Sequence, residues 1–512
     1  MKISYDALLG LGVFYLSILI VGIWAAKKKE GSLATENMFL AGRNMPLWLG
    51  VFTLTATWVG GGYINGTTEA VYANGLLWCQ APWGYSLSLC VGGLFFAAKM
   101  RDKNYRTMLD PFDEKFGKDV SGILFIPAVI GDIFWSAAIL AALGTTFSTI
   151  LGLDYQTSII ISAAFAIAYT LPGGLWSVAY TDAFQLLLII FGFAVATPFI
   201  LDHVTSFSDL WHNYKVKFGD AALMVPPIKA WTGSGAFADK IWYWSDMALL
   251  LICGGVPWGV YFQRVLSCKN GKAARNLSII AGVICFLFAI PAVVFGAIAA
   301  TTDWSLTSVG TAPEGPMALP YVLNYLTPRL TAVIGMGAVA AAVMSSVDSS
   351  ILSVASMFVT NIYCRTIRPQ ANNKEIMKVT RLSILLVGLI ATALALQIKS
   401  VYALWYFCAD LVYVVLFPQL VMVLYYKSAN RLGSIWGIIV AVILRFGGGE
   451  PLLGLPGFIN YPMQDPELGS LFPFRTTSML ASMLTIYAVS WVTKRFSQQV
   501  PAQINDLENI PT

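Results

Sequence analysis

The chain has 512 residues, of which 57% are apolar and 12% charged, with a formal net charge of +5. Soluble domains carry roughly 25% charged residues; here the few charges separate apolar runs of about 20 residues, each long enough to cross ~30 Å of hydrocarbon as a helix. A soluble enzyme, a secreted disulfide scaffold and a nucleic-acid binder are excluded, and an all-α polytopic membrane protein is expected.

Thirteen spans are predicted, over 6–26, 47–74, 78–98, 120–151, 155–175, 180–201, 243–264, 274–301, 320–362, 379–399, 401–426, 433–455 and 474–493. The first shows no small-residue cleavage site and reads as a retained helix. Of the 32 Lys and Arg, 23 fall in one alternating set of loops and ends, Lys27, Lys28, Lys29, Arg101, Arg264 and Arg365 among them. That bias assigns those loops to the cytoplasm, so the N-terminus is expected outside and, the count being odd, the C-terminus inside. The expected organisation is a first helix and cytoplasmic loop (1–46), five spans (47–201), an outer loop (202–242), five more spans (243–426), two closing spans (427–495) and a short cytoplasmic tail (496–512). The seven cysteines show no paired spacing and read as packing residues. Two sequons, at Asn65 inside a span and Asn276 on the cytoplasmic side, are expected to stay unglycosylated.

In chain order, the second span is the first unusual one: it runs Thr53-Leu-Thr-Ala-Thr-Trp58-Val59-Gly60-Gly61-Gly62. Three glycines interrupt the helix near mid-membrane, where non-helical backbone survives only when buried in protein or lining a cavity. Tyr85 in span three and Trp135 in span four sit well inside apolar runs, as does Asp132. His203 and His212 fall in the outer loop, so no histidine relay is available to the spans. The seventh span is interrupted at Gly254-Gly255-Val256-Pro257-Trp258, five spans after the first break. Paired interruptions in corresponding halves point to an inverted-repeat secondary transporter with its sites at the breaks; packing glycines are the alternative reading.

Span nine carries Ser345-Ser346-Val347-Asp348-Ser349-Ser350. A carboxylate at that depth costs several kcal/mol unless it is paired, and marks an ion or proton path by default. Four hydroxyls around it, with no Lys, Arg or His nearby in sequence, suit a small hard cation such as sodium. Asp132, Asp246 and Asp410 read either as structurally paired residues or as direct participants. Arg445 and Glu450, five apart in span twelve, are expected to neutralise each other. Trp405 in span eleven completes the set of aromatic residues deep in the membrane. Indole faces attract desolvated cations and build cages for quaternary ammonium groups; a sugar or nucleobase would stack on the same rings.

The run Gly173-Gly-Leu-Trp-Ser-Val-Ala-Tyr-Thr-Asp182-Ala-Phe-Gln185 resembles the signature of the sodium:solute symporter family. Residues 55–67, 107–112, 257–267, 340–353 and 401–419 are similar to its choline-carrying members. The segment Asp303-Trp-Ser-Leu-Thr307 departs from them, since they carry a sequon there. The resemblance implies thirteen spans with a LeuT-like five-plus-five inverted repeat after the first helix, and sodium- and chloride-dependent choline uptake across the plasma membrane. It also implies a choline cage of Trp58, Tyr85, Trp135, Trp258 and Trp405. A principal sodium site would use backbone oxygens near Ala56 and Val59 with Ser345 and Ser346, and a further one Asp182 and Ser349 with Asp348 close by. The rival expectations are a family member carrying another small solute and a choline-gated channel or sensor. A membrane-embedded enzyme fits least, since no metal set or nucleophile–base pair is present.

Overall fold

The computed structural model describes residues 5–27, 39–170 and 174–499, apart from 236, 399 and 467. Lys28 and Lys29, Gly173 of the signature run and the tail beyond 499 lie outside the described residues. The helices that position the site are α1 (Tyr5–Lys27), α2 (Leu47–Trp58), α3 (Gly61–Ala73), α4 (Ala81–Val91), α5 (Lys118–Leu151), α6 (Tyr155–Thr170), α7 (Leu175–Leu201) and α8 (Ile241–Gly254). They continue with α9 (Gly259–Leu266), α10 (Gly271–Thr301), α11 (Arg329–Met357), α12 (Asn373–Gln397), α13 (Val401–Leu411), α14 (Phe417–Tyr425), α15 (Arg431–Gly447) and α16 (Phe474–Gln499). Among the described residues nine helical segments are long and apolar enough to cross a membrane, or ten when the bent pair α2–α3 counts as one span. Three further predicted spans fall on α6, α15 and α16, which are shorter or more polar than that measure requires.

The bundle sorts itself by side-chain chemistry. Helices α1, α7, α10 and α12 present large apolar residues outward, among them Leu16, Phe191, Leu287 and Leu389. A soluble surface rarely carries such a continuous belt, whereas lipid requires one. Helix α11 is the opposite: every residue from Gly335 to Met357 is buried. Its Gly, Ala and Ser content lets neighbouring backbones approach closely, and α5 and α7 pack along it.

Both interrupted segments lean on α11. The first helix stops at Trp58, Gly60 is extended (φ −80°, ψ 178°), and α3 leaves at 47° to α2. A Cβ at Gly60 would collide with the Ser346 hydroxyl, and one at Gly61 with Val343, so glycine permits the close approach. Between α8 and α9, Pro257 cannot donate a helical hydrogen bond and Trp258 is extended (φ −108°, ψ 132°). A Cβ at Gly259 would strike Ser353 and Met357 of α11. One central helix thus holds both breaks in place.

Candidate functional site

The five aromatic residues expected to act together converge. Trp58 ends α2, Tyr85 lies on α4, Trp135 on α5, Trp258 in the second break and Trp405 on α13; these five alone line one small cavity of about 20 Å³. Each is 4–8% exposed. Trp135 stands 6.1 Å from Trp58 and 5.5 Å from Trp258, the latter edge to face at 72°. Tyr85 and Trp405 stack at 5.0 Å and 18°. The Trp258 indole N–H donates to the Gly254 carbonyl at 2.7 Å, which orients the ring and satisfies an acceptor near the break. That volume is about what one water needs, so a larger ligand has to part the rings. The lining holds no charged side chain, and π faces are its main source of attraction for a cation.

The hydroxyl-rich turn of α11 meets α2 at the other side of the break. Ser345 Oγ donates to the Ala56 carbonyl at 2.8 Å, and Ser346 Oγ to the Thr57 carbonyl at 2.8 Å. Val59 is the next residue but one and caps α2 through its own N–H to Thr55 O; no contact joins its carbonyl to the serines among the described residues. The Thr55 hydroxyl is buried without a partner. The further set also assembles: Asp182 Oδ2 accepts from Thr53 and from Thr57, the latter at 3.4 Å, and Thr57 Oγ1 lies 3.1 Å from Ser349 Oγ. Asp348 is buried beside them, yet neither of its carboxylate oxygens has a hydrogen-bond partner.

The charge-bias reading needs one correction. Arg264, grouped with the cytoplasmic bases, is 0% exposed. Its Nη2 lies 3.4 Å from Asp182 Oδ2 and donates to Ser349 Oγ at 2.5 Å. The reason is geometric: the break at Pro257-Trp258 redirects the chain, and every residue of the short α9 is buried, so an arginine near the end of a span turns back into the bundle. Asp348, with no base near it in sequence, therefore shares its cluster with a base in space.

The other intramembrane charges group separately. Arg445 pairs with Glu450, and Asp410 joins them at 2.5 Å. Arg475 of α16 reaches Asp410 at 2.9 Å and Asp246 at 3.8 Å. Asp246 also accepts from the Thr476 backbone at 2.7 Å and from its hydroxyl at 2.5 Å. The link to α16, more than sixty residues from Asp410, had no sequence signal. Asp132 makes no ion pair and no well-formed hydrogen bond among the described residues, the buried Ser353 hydroxyl being the donor beside its carboxylate.

A lipid-facing bundle around two interrupted helices, with carbonyls and hydroxyls meeting where the first is interrupted, defines a polytopic membrane transporter. The chain belongs to the sodium:solute symporter family, whose model matches residues 38–441. It is 51% identical to the High-affinity choline transporter 1 of Caenorhabditis elegans, over 93% of this chain and 83% of that one. With the High affinity choline transporter 1 of Homo sapiens it shares 48% identity over 96% of this chain and 86% of that one. In fold it is similar to a Na+-coupled sialic acid symporter solved in a substrate-bound outward-open state, with a TM-score of 0.77 at 18% identity, covering 96% of this chain and 98% of that one. The molecule is a transporter and not an enzyme.

Proposed function

We propose that this protein is a sodium-coupled choline symporter of the plasma membrane, working by alternating access with chloride dependence. The observation that carries the reading is the convergence of Trp58, Tyr85, Trp135, Trp258 and Trp405 on one cavity lined by aromatic rings, with no charged or amide side chain. Such a lining suits a quaternary ammonium, which has no N–H to donate, and offers the hydroxyls of a sugar few partners beyond the Tyr85 hydroxyl and the indole N–H groups. The similarity to choline transporters over nearly the whole chain supports the same substrate. Sodium would bind where Ala56 and Thr57 carbonyls meet Ser345 and Ser346, with Asp182, Ser349 and Asp348 forming a second, more acidic position. An ion there bridges the interrupted α2 to α11, two elements that must move relative to one another. The proposal includes thirteen spans in a five-plus-five inverted repeat, the N-terminus outside and the C-terminus inside; it assigns no residue to chloride.

The test is uptake of labelled choline into vesicles holding the purified protein, with sodium replaced by potassium and chloride by gluconate in separate arms. Saturable accumulation against a choline gradient, lost without sodium and reduced without chloride, is expected, with glucose and proline failing to compete. Efficient glucose uptake without choline uptake would end the substrate assignment. A choline-activated current without accumulation would make the molecule a channel or sensor.

A further inference from the structure

The cage supplies aromatic faces but no formal charge, while one carboxylate close to it is left without a charged partner among the described residues. Asp132 lies midway along α5, one helical turn before Trp135 and 1% exposed. Both of its carboxylate oxygens are buried without a hydrogen bond, and no ion pair reaches it among the described residues. A buried carboxylate in that condition costs several kcal/mol, so a purely structural role would leave it uncompensated. The outer acids Asp246, Asp410 and Glu450 show what structural compensation looks like here, since each is bound to an arginine.

The surroundings of Asp132 belong to the cage. Residues three apart on a helix share a face, with about 5–6 Å between their Cβ atoms, so Asp132 follows directly below Trp135. A Cβ on the adjacent Gly131 would stand 3.7 Å from the tip of the Trp258 ring and 3.1 Å from the Cys408 carbonyl. Cys408 is itself one turn along α13 from Trp405, and its Sγ lies 4.0 Å from the Tyr85 hydroxyl. Ser350 of α11 donates to the Asp132 carbonyl at 3.1 Å and pins this stretch of α5 to the central helix. The buried hydroxyl of Ser353, one helical turn on, is the side-chain donor beside the Asp132 carboxylate, a neutral group that supplies no counter-charge. Asp132 is therefore one turn from Trp135 on the same helix, and the backbone beside it, at Gly131, faces Trp258 and the Cys408 carbonyl.

We propose that Asp132 is the charge-selecting residue of the translocation path: the counter-charge for the organic cation, held below the aromatic cage on the side toward the Lys118 end of α5. The rings select shape and polarisability; the carboxylate makes the site demand a positive charge. This rests on the reading of the substrate as a quaternary ammonium. At an effective dielectric of about 20, a charge roughly one helical turn away changes affinity by more than a factor of ten.

The experiment compares choline with 3,3-dimethyl-1-butanol, its uncharged carbon isostere, as competitors of labelled choline in the purified wild type, Asp132→Asn and Asp132→Glu. The wild type is expected to prefer choline strongly. In Asp132→Asn, choline affinity should fall at least tenfold while the isostere binds as before, with sodium half-saturation at fixed fractional choline occupancy unchanged. Asp132→Glu should recover most of the preference. Removing an uncompensated charge favours folding, so Asp132→Asn is expected to be at least as heat-stable as the wild type; Asp132→Ser gives the same comparison should the amide be poorly expressed. Equal loss of choline and isostere in the neutral variants means that Asp132 shapes the cage, and the proposal fails. A shift in sodium half-saturation with choline preference intact means that the carboxylate serves the ion, and the proposal fails. A wild type that binds neither competitor overturns the substrate reading instead.

Discussion

Two groups of buried charge lie in the membrane-spanning part of this molecule, and they are built differently. The outer group joins three acids, Asp246, Asp410 and Glu450, to two bases, Arg445 and Arg475, with α8, α13, α15 and α16 all contributing. The inner charges, around α11 and the breaks, set Asp182 and Asp348 against one base, Arg264, with Asp132 separate from them beside the cage, among the described residues. Arg264 engages Asp182 and Ser349, and the carboxylates of Asp132 and Asp348 stay unpartnered. A buried acid that is already paired has nothing left to offer a ligand. An acid with a deficit of positive charge around it attracts cations, and that deficit lies where the aromatic cage and the hydroxyl junction meet.

The largest effect should come from breaking the outer group. Arg445→Met leaves Asp410 with Arg475 alone and Glu450 without its arginine, and removing one partner of a buried ion pair costs about 3–5 kcal/mol. The expected outcome is little monodisperse protein by size exclusion and a strongly lowered unfolding temperature in detergent. Applied to the inner group, the same operation should give the opposite stability result. Asp348→Asn removes a charge that has no direct bond and shares Arg264 with Asp182, so the unfolding temperature should hold or rise while choline uptake at ordinary sodium falls by more than tenfold. A variant that loses stability and uptake together would show that Asp348 is structural, like Asp410.

The cage and the hydroxyl junction can be separated in turn. Trp258→Leu retains much of the apolar volume but removes a ring quadrupole, and a desolvated cation–π contact is worth about 2 kcal/mol. Choline half-saturation should rise at least tenfold, with sodium half-saturation at saturating choline unchanged. The smallest effect is expected from Ser346→Ala, which deletes one neutral hydroxyl at the α2 break. Sodium affinity should weaken several-fold, and choline affinity should be poor at ordinary sodium yet recover as sodium is raised, because coupling between two ligands is reciprocal. A choline deficit that is equal at all sodium concentrations would assign Ser346 to structural support.

Comparison of particular residues shows how much was legible beforehand. The four cage tryptophans stood out because an indole deep in an apolar run, away from the headgroup region, is anomalous by position alone, and Tyr85 lies equally deep. Their convergence on one cavity needed the packing of α2, α4, α5 and α13 around the second break. Ser345, Ser346 and Asp348 were visible as a polar turn inside an apolar helix, whereas the acceptors for the two serines depend on how α11 crosses α2. Asp182 entered through family resemblance and not through its own surroundings. Arg264 was misplaced because a charge count assumes that a base near the end of a span lies in water, and a short re-entering helix violates that assumption.

What the sequence determined by itself follows from one-dimensional physics. Apolar run length sets which segments can span a bilayer, glycine and proline set where a helix stops, and a carboxylate inside an apolar run marks an energetic debt. Only the tertiary structure decided which debts are settled. Asp410 meets Arg445 and Arg475 from two later helices, and Asp182 meets Arg264 across a break, while Asp348 shares that arginine's cluster without a direct bond to it and Asp132 pairs with no base among the described residues. The pairing of buried charges depends on distances of a few ångströms between helices far apart in the chain, and no local pattern encodes such a distance.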